Sequence, residues 1–218
     1  MGTITVRGEE VVTKTGMSEH SDLKYYADNP RIYSTVHENG EQLSQPEIQK
    51  KLWKMDHVKE LRLDIINNGG LIDPVIVKSD TLEVIEGNSR LAAYRKLSST
   101  DPIKWGKMKC TFLPEGISES LVFSLLGQYH IKGKKDWSPY EQAGFLFRRH
   151  TQHEIGMTPL SKELGIARSQ VTKLINVYKT MVDNDDNDVN RWSYYWEFLA
   201  STKIKKLREE HSLSLIHI

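Results

Sequence analysis

The chain has 218 residues, of which 38% are apolar and 27% charged, with a formal net charge of +1. That length holds one or two domains, and the composition excludes wholesale disorder. The longest apolar stretch, around Leu121–Leu126, is far short of the roughly 20 residues a membrane-spanning helix needs, and Met1–Thr5 lacks the basic-then-apolar pattern of a signal peptide. A single cysteine, Cys110, excludes an internal disulfide and a cysteine zinc cluster. These features predict a soluble, cytoplasmic protein with no membrane partner.

The net charge is unevenly distributed. Residues 127–181 carry nine Lys and Arg against four Asp and Glu, a net +5, whereas residues 1–126 and 182–218 are each net −2. A basic island between two acidic flanks is what a phosphate backbone attracts through counterion release. A solvated helical face is the other explanation of such an island.

Residues 1–23 are polar without a sustained period and are expected to form a flexible arm. Ser44-Gln45-Pro46-Glu47 is a capping box with Pro in the first turn, and a helix is predicted from there. A second begins at Asp56, with Val58, Leu61 and Ile65 on one face, and ends at Gly69-Gly70. Pro74–Lys78 and Leu82–Ile85 read as short strands joined by Ser79-Asp80-Thr81. A helix from about Ser89 to Leu97 and a strand over Met108–Leu113 complete a small mixed α/β domain, 24–116. From Ile117 onward the pattern is helical. Helices are predicted from Ser118 to about Tyr129, from the Ser138-Pro139-Tyr140-Glu141 box to about Gln152, and from Thr158-Pro159. This all-α domain spans 117–182, and Asp183–Asp188 closes it as an acidic loop. Residues 183–212 comprise this acidic loop and a C-terminal helical segment, and the fold class is α+β.

Leu160–Leu174 carries the most specific short-range signal, a helix-turn-helix. Leu160 and Leu164 lie one turn apart, Ser161 is small where two helices converge, and Gly165 supplies a left-handed turn residue. Ile166, Val171 and Leu174 complete the apolar joint. Arg168, Ser169, Thr172, Lys173 and Asn176 then face outward, where they can reach major-groove edges and phosphates. With Thr158 and Gln170 they form the candidate DNA-binding set. A plain helical hairpin is the alternative.

Glu86–Ala93 lies where a strand hands over to a helix. Gly87 permits close backbone approach, the first-turn N–H groups point outward, and Arg90 adds a fixed cation, a combination suited to an anion. His150 and His153, three residues apart on a helix, lack further metal-ligand partners, and no metal site is expected. The aromatic cluster of Trp192, Tyr194, Tyr195, Trp196 and Phe198 suits either base stacking or a helix docked on the basic unit.

Asn29-Pro30-Arg31, then Gly70–Val77, then Glu86–Ala93 resemble, in order, the boxes of the ParB/sulfiredoxin-like domain. Lys134–Ala143 resembles the segment that joins this domain to the helix-turn-helix in ParB-type partition proteins. The resemblance spans about residues 25–180. It implies a nucleotide pocket formed by Asn29, Arg31, Gly70, Glu86, Gly87, Asn88, Ser89 and Arg90, with CTP and Mg as cofactors. It also implies double-stranded DNA, a second copy of the chain and a partition ATPase as partners, and a nucleoid-associated location.

The chain departs from the family pattern. Gly87-Asn88-Ser89-Arg90 stands where partition proteins have a Gly-Glu-Arg-Arg type motif, so one arginine contact to phosphate is missing. The later Glu-Asn-x-x-Arg box has no counterpart in Gln128–Gly133, which leaves at most a weak nucleoside triphosphatase. Sulfiredoxin activity is rejected because its motif cysteine is absent and Cys110 lies in a predicted strand. Kinase- and nuclease-like members of the fold keep a carboxylate-Gly-x-His-Arg motif, in which Ser89 here replaces the histidine. The resemblance and the basic helical region together imply a ParB-like protein that binds duplex DNA sequence-specifically, in DNA partition or in phage or plasmid regulation, and a nucleotide-dependent enzyme of this fold is the rival. Leu213–Ile218 reads like a translated transposase end from a sequencing library, and the natural protein is expected to continue past about Ser212.

Overall fold

The computed structural model describes residues 1–29, 32–33, 37–38, 41–130 and 138–201. The Lys132–Asp136 run and Leu213–Ile218 fall outside the described residues. The chain divides into two compact units, Met1–Gly133 and Lys134–Ile218. No described helix is long and apolar enough to cross a membrane.

The N-terminal residues correct the expectation of a flexible arm: β1 (Gly2–Val6) and β2 (Glu9–Glu19) pair as an antiparallel hairpin. Arg7 and Gly8 both take positive φ, 56° and 81°. Two such residues give a primed turn whose twist matches the flanking strands. Val11 and Thr13 are buried while Glu10, Val12 and Lys14 are exposed, a period-2 pattern carried by a mostly polar sequence.

The other strands of the first unit are β3 (Lys24–Tyr25), β4 (His37–Glu38), β5 (Glu41–Gln42), β6 (Val75–Lys78), β7 (Glu83–Glu86) and β8 (Lys107–Leu113). Six of them form one sheet in the order β1-β2-β8-β6-β7-β3, and β4 pairs with β5 apart from it. The sheet is mixed: β2 is antiparallel to β8, β8 parallel to β6, β6 antiparallel to β7, and β7 parallel to β3. Helices α1 (Gln45–Lys54), α2 (Asp56–Asn67), α3 (Asn88–Ser98) and the short α4 (Pro102–Trp105) lie between these strands in the chain. The expected box at Ser44 forms, with the Glu47 carboxylate accepting from the Ser44 N–H at 3.0 Å.

Ile48, Leu52, Val58, Ile65, Leu91 and Leu97 pack onto Val75, Val77, Val84, Met108 and Cys110 as one core. Ile76 and Ile85, the alternate strand positions, are buried outside that cluster. Helix α5 (Glu119–His130) touches β1 and β7, which have β2, β8 and β6 between them, and so crosses the sheet. Val122, Leu125 and Leu126 are its buried positions. This helix, expected to open the helical domain at Ile117, therefore belongs to the first unit.

The second unit comprises α6 (Pro139–Gln152), α7 (Met157–Leu164), α8 (Arg168–Asp183), a 3-10 turn (Val189–Arg191) and α9 (Trp192–Ala200). The Ser138 hydroxyl caps α6 by accepting from the Glu141 N–H at 3.3 Å. Helices α6 and α8 pack closely because Gly144 carries no side chain; a Cβ there would come within 2.9 Å of the Tyr178 ring. Tyr178 also meets Tyr140 at 5.1 Å and Phe147 at 5.3 Å between ring centroids.

Candidate functional site

The turn between α7 and α8 is built by the residues singled out in the sequence. Gly165 ends α7 at φ 61° and ψ 38°, the left-handed conformation that reverses the chain. The Ser161 hydroxyl donates to the Ile166 carbonyl at 2.6 Å, and the Ile166 N–H donates to the Ser161 carbonyl at 3.2 Å. Ser161 is therefore small enough for the helix approach and also satisfies the turn. Leu160, Leu164, Val171 and Leu174 are buried. Arg149 of α6 and Glu163 of α7, both nearly buried, lie 3.9 Å apart as an ion pair between those helices.

Helix α8 starts at Ala167 without a side-chain cap. Its first N–H groups and Arg168 thus present positive potential at the same end. Arg168, Ser169, Gln170 and Asn176 are exposed, and Thr172 and Lys173 are half-buried. The Thr172 hydroxyl donates to the Arg168 carbonyl at 3.0 Å. A groove of about 520 Å³ gathers Arg168, Ser169, Thr172, Lys173 and Asn176, with Val177 and Leu199 as its apolar floor and wall. Five of the seven candidate DNA contacts therefore share one concavity. Thr158 is exposed on the first turn of α7, and neither it nor Gln170 lines that groove.

The aromatic cluster docks on this unit, as one of its two sequence readings held. Trp192 is buried edge-on against Tyr140, with ring centroids 6.2 Å apart. Trp196 lies beneath the Lys173 ammonium, 3.6 Å from Nζ to the ring centroid. His150 Nδ1 is 2.7 Å from the Ile155 carbonyl, which fixes the ring at the end of α6. Among the described residues, no three His, Cys, Asp or Glu side chains are grouped to hold a metal ion.

The anion-site candidate in the first unit is more enclosed. Strand β7 ends at Glu86, and Gly87 turns into α3 at φ 107° and ψ 23°. A Cβ on Gly87 would meet Val75 Cγ1 at 2.6 Å and the Arg90 guanidinium at 3.0–3.1 Å. Arg90 Nη1 donates to the carbonyls of Asp73 and Pro74 at 2.7 and 2.9 Å, and Nη2 donates to Glu86 Oε1 at 3.1 Å. A phosphate at this junction would have to displace the Glu86 carboxylate from the guanidinium or share it. Asn88 is buried, and its side-chain amide accepts from the Tyr26 N–H and donates to the Tyr26 carbonyl. Asn29 Nδ2, also buried, donates to the Ile85 carbonyl at 2.6 Å. These two amides tie the Tyr26–Asn29 segment to the β7–α3 junction. Gly70 has φ 156°, and a Cβ on it would lie 3.8 Å from the Tyr94 hydroxyl. Arg31 falls outside the described residues.

Two neighbours of this junction carried no sequence signal. His57 at the start of α2 brings Nε2 to 3.3 Å from the Ser89 hydroxyl. Tyr129 near the end of α5 has its phenol pKa raised by burial and then by the Glu86 carboxylate. Both come from elements distant in sequence, so only the packing brings them to the motif.

No protein-family model matches the chain, and no curated protein does. Among solved structures it is similar to a Pnob8-like ParB-N domain, with 10% identity, a TM-score of 0.56, and coverage of 91% of this chain and 83% of that one. Two structures of C-terminally truncated chromosome-partitioning protein ParB from Caulobacter crescentus align less closely. The one complexed with CTP-gamma-S has TM-score 0.35 and 13% identity, covering 90% of this chain and 98% of that one. The one complexed to the centromeric parS site has TM-score 0.44 and 11% identity, covering 91% and 94%. The fold is ParB-like.

Proposed function

We propose that this chain is a ParB-like protein that binds duplex DNA through α7 and α8, in DNA partition or in phage or plasmid regulation. The observation that carries the reading is the groove on α8. Arg168, Ser169, Thr172, Lys173 and Asn176 converge there at the uncapped start of a helix whose turn geometry is that of a helix-turn-helix. Arginine and lysine serve phosphates and guanine edges, while asparagine, serine and threonine serve base edges and backbone. A nucleotide of the CTP class with Mg, seated between Gly87 and Arg90, would exchange the Glu86 carboxylate for phosphate as the partner of Arg90. Such an exchange links occupancy to the β6–β7–α3 junction, and the sequence resemblance supports it.

Fluorescence anisotropy with a labelled duplex across a KCl series tests the DNA-binding reading. The Arg168→Ala variant binds about 5- to 50-fold more weakly, and its salt dependence becomes shallower by about one counterion. Affinity equal to wild type at every salt concentration removes α8 from the interface.

One contact favours a second reading, a nucleotide-dependent enzyme. The Ser89 hydroxyl and His57 imidazole form a pair at 3.3 Å, one residue before the Arg90 that holds Glu86, and an imidazole next to a hydroxyl is the arrangement a general base needs. Calorimetry with CTP, ATP and duplex DNA, followed by a product assay, separates the readings. Turnover that is lost in His57→Ala, in a protein without DNA affinity, supports the enzyme.

A further inference from the structure

DNA reading does not account for the position of α9. The helix is anchored at its start by Trp192, buried against Tyr140. From there it packs along α8: Trp196 covers the Lys173 ammonium at 3.6 Å, and Leu199 shares a groove with Arg168 and Ser169. Lys173, on the outward face by helical phase, is consequently half-buried under an aromatic ring. A B-DNA major groove is about 12 Å wide and admits one α-helix of about 10–12 Å diameter. Two helices packed with axes about 8–10 Å apart are nearly twice that width. The Arg168–Asn176 face therefore cannot seat fully in the groove while α9 stands beside it.

We propose that α9 is an autoinhibitory cover on the recognition helix, and that duplex DNA displaces it. The inference rests on the DNA-binding reading above. The latch is chemically matched to its release. An aromatic face holds the Lys173 ammonium only modestly at a half-exposed site, and a phosphate oxygen offers the same ammonium a full counter-charge. The turn-rich segment after α8, where Asp185 takes a positive φ of 52°, is the connection about which α9 would move.

The test uses the full chain and a fluorescein-labelled mixed-sequence duplex, with anisotropy read across a KCl series. Trp196→Ala binds about three- to tenfold more tightly than wild type, because the latch is gone. Its salt dependence stays that of wild type, because Lys173 reaches the same phosphate once α9 is displaced in either protein. Trp196→Phe keeps a ring under the ammonium and falls between the two. Equal or weaker binding by a Trp196→Ala protein with a wild-type circular dichroism spectrum overturns the proposal. Hydrogen exchange on the wild-type chain gives a readout independent of that variant. Amides of 192–200 exchange faster when duplex is added, and slower exchange there means α9 stays and touches DNA, which also overturns the cover. Failure of wild type and variant alike to bind duplex at low salt defeats the DNA-binding reading, and the cover falls with it. Binding that Trp196→Ala leaves unchanged defeats the cover alone.

Discussion

Gly87 is held at φ 107° with Val75 Cγ1 only 2.6 Å from where a Cβ would stand. Both the left-handed backbone and the close approach exclude a side chain, whatever ligand the junction takes. Gly87→Ala should destabilise the protein by about 2–4 kcal/mol, the sum of backbone strain and overpacking, measured as a lower urea midpoint with unchanged slope. A midpoint equal to wild type would mean that the junction relaxes around the methyl group. The neighbouring polar residues were read from sequence as ligand contacts, yet Asn29 and Asn88 are buried and bonded to backbone groups of Ile85 and Tyr26. Their residue types were legible and their partners were not, because those partners lie about 60 residues away in the chain and appear only when β3 joins β7.

At the scale of elements, the acidic loop fixes the start of α9. Asp186 accepts from the Tyr195 hydroxyl at 3.0 Å, from Arg191 Nη1 at 3.2 Å and from the Asp188 N–H at 3.1 Å. Burial alone would raise its pKa, but the bonds from Asp188, Tyr195 and Arg191 prevail and lower it. A carboxylate whose folded pKa lies below its unfolded value contributes stability that is complete above about pH 4 and is lost as pH falls through the folded value. Asp186→Asn should therefore lower stability by about 1–3 kcal/mol at neutral pH and flatten the acid limb of a stability–pH curve. A variant that keeps the wild-type acid limb would show that another carboxylate sets it. The same scale shows where sequence reading succeeded. The boxes at Ser44 and Ser138 and the Gly165 turn rest on contacts within a few residues of one another, and the strands around Val75 and Val84 announce themselves by their apolar runs although β6 pairs with β8 about 35 residues on.

For the molecule as a whole, Cys110 reports on the stability of the sheet. It stands opposite Gly16 on β2 and Val75 on β6, and burial pushes its thiol up to about 11. At neutral pH it should react with a thiol reagent only at the rate set by opening of the sheet, and stoichiometrically in urea. Rapid labelling of the native protein would contradict the buried position. Charge belongs to the same scale. The near-zero total conceals the basic segment 127–181, within which α8 carries the groove. Under the proposed DNA-binding reading, the salt dependence measured by anisotropy should follow that segment and not the whole-chain sum.

By itself the sequence determined the tight turn at Gly165 between α7 and α8, the β6–β7–α3 turn and the polarity of the island, since each depends on residues close in the chain whose spacing encodes their geometry. Only the tertiary structure decided that residues 2–19 extend the sheet, because a half-exposed polar hairpin is stabilised by its pairing with β8, nearly 100 residues on. It decided that Arg90 is held by Asp73, Pro74 and Glu86, since a guanidinium takes whichever acceptors the fold brings within reach. It also decided that Trp196 lies on Lys173. An aromatic cluster shows that something will be covered, and only the path of the chain through the acidic loop selects what.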